Sequence, residues 1–253
     1  MYICFFDHIH MLRHTGKGRT YQHNLKLASI LSAVAGIVNI TGVLSLNTLT
    51  TNVTGHFAFF SEQVFFRDFQ KAFGFLLYIL CFLFGAFTSS LFMEWRLKKR
   101  PHSSYVVPLL IEMSLLGSLC LLDQYFKLHL FYPVFMACVL LFAMGLQNAL
   151  VTRVSQSVVR TTHLTGLFTD LGIELSQLLF YRETKLRSRL YKSLILKSLI
   201  ISSFFGGGIV GALTYTHLKM NTLLLPVALL LFAMRYDALL FRFYALKRRF
   251  RDK

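Results

Sequence analysis

The sequence predicts an all-α integral membrane protein with six transmembrane helices, two short re-entrant half-helix segments and an inverted 3+3 repeat. Three observations predict it. Of the 253 residues, 55% are hydrophobic and only 15% charged, where a soluble domain carries about 25% charged residues, and the mean hydropathy is +0.56. Twenty-seven Lys and Arg stand against 11 Asp and Glu, and they cluster in short gaps between long apolar runs. Finally, short motifs recur in the same order in two halves of the chain. A soluble globule is excluded by the first observation, and the net charge of +16 then reports membrane topology rather than a nucleic-acid partner.

The elements follow in order. Residues 1–26 form a basic strip carrying Arg13, Lys17, Arg19 and Lys26, with no apolar core and cleavage site of a signal peptide. Cys4, Asp7, His8, His10 and His14 crowd this strip, but their spacing fits no closed tetrahedral template, so no metal or cofactor is assigned. Six runs then reach the roughly 20 residues that a crossing helix needs. They are Leu27 to Asn47, Phe73 to Met93, Tyr105 to Leu122, His129 to Val151, Leu194 to Thr216 and Asn221 to Phe241. Two apolar stretches are too short: Thr54 to Phe66, and Thr165 to Phe180, the latter interrupted by Asp170, Glu174 and Gln177. The chain closes with a basic tail, residues 242–253. Cys81, Cys120 and Cys138 lie inside apolar runs with no paired spacing.

Charge decides whether the short stretches cross. If both did, the Arg96 to Arg100 cluster would lie outside, against the positive-inside rule. If both dip in and return, that cluster, the Arg182 to Lys192 loop and the tail are all cytoplasmic, and Arg67 and Lys71 are the one imperfection. Six crossings with both termini in the cytoplasm is the reading the charges favour.

The repeat appears in Gly36-Ile37-Val38-Asn39 against Gly145-Leu146-Gln147-Asn148, an offset of 109, and in Thr51-Asn52-Val53-Thr54-Gly55 against Thr162-His163-Leu164-Thr165-Gly166, an offset of 111. Gly85 and Ser89 in one half correspond to Gly207 and Gly211 in the other. Each repeat, 27–122 and 123–241, holds three crossings, an odd number, so the second must be inverted relative to the first.

The same residues carry a resemblance. Arg19-Thr20, Ala35 to Asn39, Thr54-Gly55, Phe142 to Leu150, and Arg160 to Gly166 with Thr169-Asp170-Leu171-Gly172 resemble the YoaK family of bacterial multi-pass membrane proteins. The resemblance runs from about Met11 onward, which makes Met11 a candidate initiator. It implies an inner-membrane protein, proposed as a small-molecule metabolite transporter with no agreed substrate. The family tends to read T-G-N in the first half, where this chain has His56.

A backbone segment that enters hydrocarbon must be buried among helices or line a watery cavity. Thr54-Gly55 and Thr165-Gly166 stand where half-helices would start, Thr as an N-cap and Gly for close backbone approach. Two such N-termini, each with free N–H donors and partial positive charge, suit an anion or a carbonyl oxygen near the midplane. The bland alternative is a pair of packing turns. Asn39 and Asn148 would face inward, either capping these segments or touching solute. Asp170 and Glu174, four apart on one face, and the isolated Glu112 are candidates for ion or proton coupling, with surface solvation the alternative for the pair. Arg160 suits the mouth of the site, and Lys197, Arg235 and Asp237 most simply snorkel or pair.

No nucleotide-binding or hydrolase motif occurs, and no nucleophile–base constellation argues for an enzyme. The expected function is a secondary transporter or facilitator of a small, anion-leaning metabolite, with a passive channel or a non-transporting scaffold as alternatives. The expected partners are membrane lipid and the solute, not nucleic acid, with the Gly207/Gly211 ridge available for packing within or between chains.

Overall fold

The computed structural model describes residues 21–99, 106–126, 132–155, 158–181 and 183–235. The N-terminal Cys/Asp/His cluster, the basic tail, Arg100, Arg182 and Asp237 lie outside the described residues. Within them every regular element is helical: α1 (Tyr21–Leu46), α2 (Val53–Phe65), α3 (Phe69–Lys99), α4 (Val106–Phe126), α5 (Tyr132–Val154), α6 (Leu164–Phe180) and α7 (Thr184–Leu218). A 3-10 turn, Lys219–Leu223, follows α7 and leads into helical residues 224–235.

Five stretches are long and apolar enough to cross a membrane: Asn24–Leu46, Phe69–Trp95, Val106–Asp123, Pro133–Val154 and the 52-residue Thr184–Arg235. The last is broken by the 3-10 turn, at whose head Lys219 has φ 49°. Large side chains such as Phe66, Phe73, Phe87, Leu179, Phe180 and Phe205 are more than 60% exposed. An apolar surface of that extent suits lipid rather than water. The chain is an all-α, multi-pass membrane protein.

Contacts fix the helix directions. Tyr21 Oη donates to the Lys192 carbonyl at 2.9 Å, Gly36 lies against Phe204, and Ile40 lies against Gly211. Those pairs advance together, so α1 runs parallel to α7. Gly145 sits on Phe82, and Arg153 Nη1 donates to Ser90 Oγ at 2.8 Å while also pairing with Glu94. Helix α3 is therefore parallel to α5. Gln147 Nε2 donates to the Leu31 carbonyl at 2.6 Å, and Gly42 faces Leu140. These pairs run in opposite senses, so α1 is antiparallel to α5 and α3.

Both parallel pairs close on glycine. A Cβ on Gly145 would strike the Phe82 carbonyl oxygen, and one on Gly85 the Phe142 carbonyl oxygen. In the other pair, Gly36 meets the Phe204 carbonyl and Gly207 the Ala33 carbonyl. Backbone packs directly on backbone at these crossings. The Gly207/Gly211 ridge is thus occupied within the chain, by α1.

Neither short helix, α2 of 13 residues or α6 of 17, is among the stretches long and apolar enough to cross. From the end of α1, where Asn47 adopts φ 51° and its N–H reaches the Val43 carbonyl at 3.0 Å, the chain drops back to the level of Asn39. Helix α2 starts there and returns antiparallel to α3, with His56 beside Tyr78 at 5.4 Å and Phe59 beside Phe75 at 5.3 Å between ring centroids. Arg67, at φ 60°, makes the turn into α3. Asp68 then caps α3 by accepting from the Lys71 N–H at 3.1 Å. The hydrogen bond from the Lys71 side chain holds the Asp68 carboxyl below its usual range. Helix α6 repeats the pattern, antiparallel to α7.

Candidate functional site

The N-terminal ends of α2 and α6 open on one cavity of about 560 Å³. Its wall is built from matched pairs. Asn39 and Asn148 both line it, as do Thr51 and Thr162, and Thr54 and Thr165. Each asparagine holds its own returning loop. Asn39 Oδ1 accepts from the Thr50 N–H at 3.1 Å and from Thr51 Oγ1 at 3.0 Å, and Asn148 Oδ1 accepts from Thr162 Oγ1 at 3.1 Å. An amide at this position supplies the partner that hydrocarbon cannot give to an irregular backbone. The capping and the solute-facing readings of these residues are therefore compatible in one geometry.

The caps differ from the sequence reading. Asn52 and His163, not Thr54 and Thr165, are the N-cap residues, and each threonine is the second residue of its helix. Asn52 Oδ1 accepts from the Gly55 N–H at 3.1 Å and from Thr54 Oγ1 at 2.7 Å. Asparagine precedes threonine in capping preference, and the extra residue before the motif places it at the cap. His163 makes no side-chain cap hydrogen bond. Gly55 and Gly166 also lie behind the wall rather than on it. The Cβ space of Gly166 is filled by the His163 ring, and that of Gly55 faces Asn52 Nδ2 at 3.2 Å.

Three lining residues went unread in the sequence, Leu49, Phe82 and Phe204, and Asn52 and His163 were read only as repeat-motif positions. Phe82 and Phe204 are 122 positions apart, as are Gly85 and Gly207, so carrying the repeat alignment into the third helices of each half would have found them. Among the lining residues there is no Asp, Glu, Lys or Arg. The field in the cavity is set by the two helix N-termini, whose first N–H groups have no intrahelical acceptor.

The remaining candidates lie elsewhere. Asp170 Oδ2 and Glu174 Oε1 both bind Lys197 Nζ, at 3.2 and 2.7 Å, and Ser193 Oγ donates to the same Glu174 oxygen at 2.7 Å. This bridge joins α6 to α7. Asp170 is half exposed, whereas Lys197 and Glu174 are only about one-sixth exposed. Lys197→Met leaves Glu174 without its cation, and we expect a loss of about 2 kcal/mol, read as a lower melting temperature that Lys197→Arg largely restores. Glu112 is fully buried on the inward stripe of α4, beside Leu109, Met113 and Leu116, and does not reach the cavity. Neither of its carboxylate oxygens has a hydrogen-bond partner among the described residues. Arg160 is exposed and is not a lining residue. His56 is buried, and its Nε2 lies 2.6 Å from the carbonyl of Leu49, itself a wall residue.

Comparison with known proteins agrees with the resemblance read from the motifs. A family model described as a protein of unknown function, DUF1275, matches residues 27–236. The UPF0700 transmembrane protein YoaK of Bacillus subtilis (strain 168) is 25% identical over 206 residues, covering 81% of this chain and 89% of that protein. No solved structure matches. The chain belongs to the DUF1275 family, the family of YoaK.

Proposed function

We propose that this DUF1275 protein is a secondary transporter or facilitator of a small solute with an anionic or carbonyl-bearing end, in the inner membrane of a bacterium with both termini in the cytoplasm. One observation carries the reading: the N-termini of two short helices meet at a single cavity flanked by Asn39 and Asn148. Broken helices whose positive ends converge within a bundle are the usual construction of a carrier's solute site. With each asparagine oxygen committed to its loop, the amide N–H groups and the helix-end N–H groups are the donors offered to a solute.

An inverted 3+3 repeat with six crossings underlies this proposal. A 52-residue stretch of helix would be about 78 Å long, more than twice the hydrocarbon thickness of roughly 30 Å, and in this reading the break at Lys219, with its φ of 49°, divides it into two crossings. The corresponding helices α1 and α5 are antiparallel, while α1 is parallel to α7 and α3 to α5, which is the relation an axis in the membrane plane produces. A parallel duplication would oppose α1 to α7.

Counterflow in proteoliposomes tests the function. Purified protein should take up a labelled member of a panel of small carboxylates and sulfonates with saturation, and unlabelled solute inside should accelerate entry. Flux without saturation or counterflow would make it a channel; no flux across the panel would favour a scaffold. For the topology, cysteines introduced at Asp123 and His217 should react with an impermeant reagent from the outer face, and a cysteine at Lys98 should not. Labelling of position 98 from outside would overturn six crossings.

A further inference from the structure

A second cavity, of about 490 Å³, lies between α6 and α7. It shares two wall residues, Leu164 and Phe204, with the polar chamber. The rest of its wall is mainly apolar, including Phe168, Leu171, Ile201 and Phe205. At the far end the two helices are tied by the Lys197 bridge to Asp170 and Glu174. From Ser198 to Phe205 the groove follows α7 for roughly 10 Å, the reach of a short alkyl chain.

The other half of the molecule is built differently at the same places. Position by position, Asp170 and Lys197 correspond to Phe59 and Phe75, and Leu167 and Ile200 to His56 and Tyr78, by the offsets of 111 and 122. There α2 packs on α3 through an aromatic cluster, with Phe59–Phe75, His56–Phe75 and His56–Tyr78 contacts of 5.3 to 6.0 Å. Ser198 and Ser202, which line the groove, correspond to Leu76 and Leu80. Small residues therefore stand along the α6–α7 groove where large ones stand along α3.

We propose that the solute is a single-chain amphiphilic anion, its charged head in the polar chamber and its hydrocarbon tail in the α6–α7 groove. This rests on the transporter reading of the chamber and adds the tail. The groove adjoins the chamber at Leu164 and Phe204, the two residues that line both, and the proposed solute lies across that seam. Its length of one helix–helix crevice takes one chain, whereas a phospholipid brings two. The head meets the N–H donors of the helix ends, and the tail meets phenylalanine and isoleucine instead of water.

Straight-chain alkanesulfonates test this, because they stay ionised and do not cross a bilayer as neutral acids. Binding of methane-, butane- and octanesulfonate to the full chain in nanodiscs of neutral lipid is measured, with binding to empty nanodiscs subtracted. Affinity should rise at least twofold per added methylene, burial of each being favourable. The Ser198→Leu, Ser202→Leu double variant, which puts into the groove the residues that stand at the corresponding positions of α3, Leu76 and Leu80, should bring octanesulfonate affinity down to that of butanesulfonate. If the double variant is not recovered folded, Ser202→Leu alone carries the comparison. Equal affinity for all three chain lengths overturns the tail site while leaving the chamber intact. Octanesulfonate binding that is the same in wild type and variant overturns it too, and marks the groove as a seat for bilayer acyl chains. Failure of all three sulfonates together with the whole carboxylate panel overturns the chamber reading and the tail with it.

Discussion

The Gly85→Leu protein should not be recovered as a folded monodisperse species, and Gly85→Ala should already melt well below wild type. At Gly85 an added Cβ would overlap the carbonyl oxygen of Phe142 and crowd the Leu146 nitrogen at 3.1 Å. A flexible side chain could swing aside, but these are backbone atoms of a neighbouring helix, so α3 and α5 must separate. Overpacking against side chains costs about 1–3 kcal/mol, and moving two backbones apart costs more, against a total stability of about 5–15 kcal/mol. Gly145→Ala and Gly36→Ala should behave alike, since each meets a carbonyl oxygen across its own crossing. Gly206→Ala is the control: nothing lies within 4 Å of its Cβ position, and alanine favours helix by about 1 kcal/mol. Melting temperatures and size-exclusion profiles in one detergent check the series. A Gly85→Ala protein as stable as Gly206→Ala would mean that the α3–α5 crossing is looser than described.

Those glycines show which part of the fold could be read from sequence. The membrane-protein character was legible because hydropathy tracks burial in lipid, and α2 and α6 were legible as helices shorter than a span. That Asn39 and Asn148 and the two T-x-x-T-G segments belong together was legible in their matching motifs, and they line one cavity. Which helices face each other was not: Gly85 and Gly207 were visible as small residues, but nothing local said that one packs on α5 and the other on α1. Boundaries slipped where hydropathy and helicity part. Helix α7 begins at Thr184, ten residues before the apolar run at Leu194, because Lys185, Arg187, Arg189 and Lys192 continue the helix with a polar surface.

The segments picked out in the sequence line the chamber, and their N-cap residues differ from those the sequence suggested. Capping depends on the backbone of the residue before the helix, so Asn52 and His163 took the role that Thr54 and Thr165 suggested by composition. Asp170 and Glu174 were readable as one face of a helix. Their partner, Lys197, comes from the next helix and could not be assigned from spacing. Glu112 is the reverse case: its burial was legible, and its separation from the chamber was not.

Gly166→Leu should insert, fold and purify like wild type while losing saturable binding and counterflow of the panel solutes. A Cβ at Gly166 would fall on the His163 ring, and a leucine there must turn that ring out of its place in the chamber wall. The ring is the end of a flexible side chain with no capping hydrogen bond to lose, so the displacement costs little folding energy, unlike the backbone collision at Gly85. Function loses more, because the displaced imidazole of a wall residue disturbs a cavity of about 560 Å³ at the mouth of α6. Gly55→Leu should have the weaker effect, its Cβ meeting Asn52 Nδ2 at 3.2 Å, close enough to press on the cap but not to evict it. His163→Ala separates the causes. If it restores binding to the Gly166→Leu protein, crowding by the ring was the fault, whereas persistent loss locates the damage in the α6 N-terminus itself. Wild-type counterflow in a well-folded Gly166→Leu protein would show that solute does not pass this chamber, and would direct attention to Glu112.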